Sequence, residues 1–130
     1  MKDSTGYGRI YRIAPKNKKL SNPKIDLSTV DGQIAAIKSP AVNVRNSAFE
    51  KLKHGGIPVI TEARNLLGDK NPFIQARAIW LLSQLKKEKK KEVEKILSHP
   101  DEKLRATAFR SLRQVTDDIL PYARQLAKDN

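Results

Sequence analysis

The chain has 130 residues and carries 26 Lys or Arg against 14 Asp or Glu, a net charge of +12. It contains no cysteine, which excludes disulfides, thiolate metal sites and a cysteine nucleophile. No run of about 18 apolar residues occurs, so no membrane-spanning helix and no membrane insertion is expected.

Residues 1–24 form a basic arm, with seven Lys or Arg and one Asp. Within it Tyr7–Ile13, YGRIYRI, alternates: Arg9, Tyr11 and Ile13 point one way, Ile10 and Arg12 the other. That is a strand pattern. Ala14-Pro15 ends it, since proline lacks the N–H a ladder needs. One strand is not stable alone, and no second strand pattern is evident. The arm therefore pairs with a sheet elsewhere or lies on the helices, which makes Tyr7, Arg9, Ile10, Tyr11 and Ile13 candidate docking residues. Its opening residues lack the apolar core of a signal peptide.

Residues 25–130 read as helices. Over 28–39, STVDGQIAAIKS, Ser28 and Asp31 approximate a capping box, and Val30, Ile34 and Ile37 form an apolar stripe. This helix is placed to cap a repeat array. An internal repeat comes next, in copies 41–70, 71–100 and 101–130. Its clearest helix is Asn71–Leu85, with Asn71 as cap and Pro72 at the first helical position. Ile74, Ala78, Ile79 and Leu82 of that helix align without a gap on Val44, Ala48, Phe49 and Leu52, and on Leu104, Ala108, Phe109 and Leu112. A second helix repeats as well: Ala63, Val93 and Ala123 share one position, and Leu66, Ile96 and Leu126 another. Turns fall near His54–Gly56, Lys86–Glu88 and Thr116–Asp118, with Thr116 expected to cap the last helix. The fold class expected is all-α: a HEAT-like, armadillo-like α-solenoid of three helical pairs plus an N-terminal capping helix, preceded by the extended arm.

Three features stand out from the repeat. The run Lys86–Lys95, KKEKKKEVEK, places Lys87, Lys91 and Lys95 on one helix face, and Arg64 and Arg124 occupy neighbouring positions. Together they suggest a basic groove for phosphate or acidic protein. The plainer reading is a solvated face whose glutamates pair with nearby lysines. Trp80 stands where the other copies have Glu50 and Arg110. With Leu81 it departs from an outward-facing pattern, which suggests packing under the arm or docking of a partner. Arg45 and Arg105 share a position near the helix starts, with Asp69 and Asp101 as plausible partners for a structural ladder.

Nothing in the chain groups into catalytic chemistry. His54 and His99 lie far apart without a third ligand at metal-binding spacing. Gly55-Gly56 lacks the strand and further glycines of a phosphate loop. No catalytic residue, cofactor site or metal site is assigned.

The arm and first helices carry a resemblance. GRIYRIAPK, a basic linker, then KIDLSTVDGQIAAIKSPAVNVRNSAFEKL resembles a junction in large bacterial membrane-bound dehydrogenase-like proteins. In those, a propeller similar to sorbosone or glucose dehydrogenases closes on a GRIYRIAP-like segment; HEAT repeats come after it, and often a c-type haem domain. The resemblance implies an excised linker and HEAT segment of a periplasmic or cell-envelope protein. It also implies that the partners are neighbouring domains of a parent chain, of which an oxidoreductase activity would be a property. Neither a CxxCH haem motif nor a propeller is present in this sequence, so that chemistry falls on none of its residues. The function expected is a non-catalytic protein-interaction and spacer module. The alternative is a small nucleic-acid-binding HEAT protein using the basic face.

Overall fold

The computed structural model describes residues 13, 15–17, 24–85 and 90–128. Among them the chain is all-helical, with α1 Val30–Ile37, α2 Val42–Leu52, α3 Ile57–Leu67, α4 Pro72–Gln84, α5 Lys90–Ile96, α6 Glu102–Val115 and α7 Leu120–Leu126. The arm residues Tyr7, Arg9, Ile10 and Tyr11, and with them the expected strand, lie outside the described residues.

The cap of α1 differs from expectation by one residue. Ser28 turns its N–H and hydroxyl onto Asp26 Oδ1, at 2.8 and 2.6 Å. That leaves the adjacent Thr29 to accept from the Gly32 N–H at 3.1 Å as the N-cap. The turn back onto the helix is tight enough to require glycine: a Cβ on Gly32 would sit 1.8 Å from the Asp26 carbonyl oxygen. Asn71 and Asp101 cap α4 and α6 as expected, accepting from Phe73 N–H at 3.0 Å and Lys103 N–H at 2.8 Å. The start of α7 is displaced. Thr116 closes α6, and its hydroxyl donates to the Asp118 carbonyl. Asp118 Oδ1 then receives the Leu120 N–H at 2.9 Å. Asp118 thus helps build a turn before the helix instead of sitting in its first turn.

The thirty-residue period reappears in the bonds of the turns. Two residues before each first helix's cap, a side chain accepts from the cap's own N–H. Ser39 Oγ takes Ala41 at 3.2 Å, Asp69 Oδ1 takes Asn71 at 2.9 Å, and His99 Nδ1 takes Asp101 at 3.0 Å. Three chemically different acceptors fill one structural role. Arg45 Nη1 closes the same turn from inside, donating to the Ser39 and Pro40 carbonyls at 2.9 and 2.6 Å. Arg105 Nη1 does so to His99 and Pro100 at 2.7 and 2.8 Å. Arg45 therefore reaches carbonyls instead of Asp69, whose other oxygen is held by Lys38 at 3.1 Å.

Burial keeps the same period. Ala48, Ala78 and Ala108, and Leu52, Leu82 and Leu112, are all completely buried. Alanine there lets helix axes approach, and leucine fills the space on either side. Ala63 and Val93 are likewise closed off, whereas Ala123 and Leu126, their counterparts in α7, are half-buried. Leu81 is a core residue, as is Ser111 at the same repeat position; the Ser111 hydroxyl is satisfied by the Ala108 carbonyl at 2.9 Å. Sequential neighbours α1 and α2, α3 and α4, and α5 and α6 pack together; α4 also meets α5 and α6, and α1 meets α3.

Candidate interaction surface

Charges on the second helices are paired across successive helices. Glu92 on α5 receives Arg64 Nε from α3 at 3.1 Å and Lys95 Nζ from its own helix at 2.9 Å. The hydrogen bond from Lys95 and the Arg64 contact hold the Glu92 carboxyl below its ordinary value, against the opposing effect of partial burial. One helix further on, Tyr122 of α7 donates its hydroxyl to Glu94 of α5. That bond, then burial and the Glu94 charge, push the Tyr122 phenol up to about 12. Lys90 Nζ lies 5.9 Å from the centroid of the same ring. Both links join equivalent positions: 64 and 94 belong to one place in the repeat, 92 and 122 to another. The sequence holds the signal, an acid or a phenol always facing the partner position one helix on, but alignment of apolar residues alone does not expose it.

The predicted basic groove is divided by this pairing. Arg64 and Lys95 both converge on Glu92, so their charge is shared with an acid. Lys91 and Arg124 are exposed and have no ion pair among the described residues. Lys87 lies outside the described residues.

Trp80 is half-buried, while Glu50 and Arg110 at its position are exposed. Ile13 of the arm is 98% exposed, so it does not cover Trp80. Apolar exposure instead gathers at helix starts, with Phe73 on α4 at 70% and Ile57 on α3 at 76%. Both fall beside a proline and off the buried stripe, and sequence periodicity gave them no role.

Among the described residues no three His, Asp or Glu side chains gather as a metal site. His99 Nδ1 is taken by the Asp101 N–H, and His54 is exposed. No described helix is long and apolar enough to cross a membrane. No protein-family model, curated protein or solved structure matches the chain.

Proposed function

We propose that this chain is a non-catalytic protein-interaction and spacer module, built as a HEAT-like α-solenoid of three helical pairs with α1 as its cap. The observation that carries the reading is the recurrence, every thirty residues, of one turn bond at Ser39, Asp69 and His99 together with the same buried Ala and Leu positions. Repeats that stack in this way hold distant ends apart and offer long lateral surfaces. Trp80 and Phe73 are the apolar groups best placed for a protein partner, with the Tyr7–Ile13 arm as a second docking element.

The GRIYRIAP resemblance extends the proposal: the module joins a propeller to later domains of a larger dehydrogenase-like protein of the bacterial envelope. An immunoblot of source cells with an antibody against this chain tests that extension. A band several times larger than 14.6 kDa is expected, and a band near that mass overturns it.

A second reading, nucleic-acid binding, is favoured by exposed Lys91 and Arg124, which have no ion pair among the described residues, on a chain of net charge +12. It requires oligonucleotide affinity that falls with salt at a log–log slope of about −0.9 per phosphate neutralised. Fluorescence anisotropy with no binding at low salt removes it.

A further inference from the structure

One cavity is lined by two residues, one from the first copy and one from the second, that depart from their counterparts in the other copies. Asn46 stands where the other copies have Ala76 and Ala106, and Arg77 stands where they have Ser47 and Thr107. These two, with Arg45, Ile37 and Phe49, line a cavity of about 110 Å³. Arg77 reaches it from α4, anchored by Nη1 on the Ile37 carbonyl at 2.8 Å. Arg45 reaches it from α2, anchored by Nη1 on the Ser39 and Pro40 carbonyls.

Each guanidinium is therefore fixed through one nitrogen. A guanidinium has five N–H donors, and among the described residues neither arginine has an ion pair. Burial, and then the like charge of Arg45, push the Arg77 guanidinium below its ordinary value. Two partly buried cations facing one cavity without an acid repel each other. The Asn46 amide beside them has no hydrogen-bond partner among the described residues. The fold does not require this arrangement, since the other copies build the same turn and core without it.

We propose that this cavity binds a phosphate-sized oxyanion, held by the Arg45 and Arg77 guanidiniums and the Asn46 amide. Paired planar forks match the oxygens of such an ion. At about 110 Å³ the cavity has room for one small oxyanion.

The test is calorimetric titration of the full chain with inorganic phosphate at constant ionic strength in chloride. It is paired with NMR observation of the arginine side-chain N–H signals. Saturable binding is expected with a Kd on the order of 1 mM, together with shifts of two arginine side-chain signals. Arg77→Gln should weaken binding about tenfold or more. Because Arg77 also anchors α4 to α1, Asn46→Ala serves as the second variant: it installs the residue of the other copies and should weaken binding several-fold with the melting temperature unchanged. Arg113→Gln, an exposed residue of α6, should bind like the parent. O-phosphoserine in place of phosphate distinguishes the source. Tighter phosphate marks a site for the free ion, tighter phosphoserine a site for a phosphorylated chain, and either upholds the oxyanion site. No saturable binding to about 10 mM, tenfold above that Kd, overturns it. So does phosphate affinity unchanged by both Arg77→Gln and Asn46→Ala.

Discussion

Glu92 and Tyr122 show how much a single half-buried side chain can join. Glu92 is shared by a cation from the preceding repeat and one from its own helix. Glu92→Gln should lower stability by about 0.5–1 kcal/mol, since both cations are largely solvated. Its folded pKa is depressed, so its contribution is present above the ordinary carboxylate value and is lost as pH falls through the folded one. Urea midpoints of the parent and Glu92→Gln should therefore differ at pH 7 and converge in acid. Tyr122 behaves in the opposite sense. Its phenol ionises at about 12 in the folded chain against an ordinary 10.0. The neutral phenol's contribution is complete below pH 10 and is lost as pH rises towards 12. Tyr122→Phe keeps the ring and removes the bond to Glu94. It should cost about 1 kcal/mol near pH 8, and the difference should close at alkaline pH. Absorbance titration at 295 nm should lose its highest-pH component in the variant.

At the scale of elements, the turns before α2, α4 and α6 are one device made with three side chains. Asp69 does most: it takes the Asn71 N–H and also binds Lys38 from the end of α1. Asp69→Ala should lower the melting temperature, because it removes both bonds at once. Ser39→Ala should cost less, because Ser39 makes the turn bond alone at 3.2 Å. Thermal melts of the two variants check the order. The helices themselves were legible because apolar spacing, Asn71, Asp101 and the alanine positions all point the same way. What was hidden depended on competition between neighbours. Ser28 and Thr29 are equally good caps in sequence, and only the presence of Asp26 decides between them. Thr116 before two acids has the composition of a helix start, yet Asp118 uses its carboxylate one turn later. Leu81 appeared outward-facing because Lys51 shares its position; the buried Ser111 in the third copy carried the contrary signal. Arg45 departs from the expected pairing with Asp69 for a related reason. A guanidinium can bond to carbonyls as well as to a carboxylate, and Arg45 donates to two turn carbonyls.

Across the whole molecule, burial is concentrated in the middle. Helix α4 buries six residues and packs against α3, α5 and α6, whereas α7 buries none. In a compact core of one centre, removing a side chain anywhere would lower protection throughout. The proposed solenoid behaves differently, because each helical pair is stabilised mainly by its neighbours and the end units open at lower cost. Leu82→Ala, at a completely buried position of α4, should cost about 2–5 kcal/mol and speed exchange in α3, α4, α5 and α6 together. Leu126→Ala, at the half-buried face of α7, should cost well under that and speed exchange in α7 alone. Amide hydrogen exchange of the parent should be slowest in α4 and fastest in α7, with α5 intermediate. Uniform protection from α1 to α7, or loss of protection in every helix on Leu126→Ala, would mean that the chain opens as one unit. The recurring turns would then be a local habit of the sequence with no bearing on how the molecule holds together. A graded profile would instead make α7 the face where a partner gains most, since contact there would stabilise the helix that the chain itself covers least.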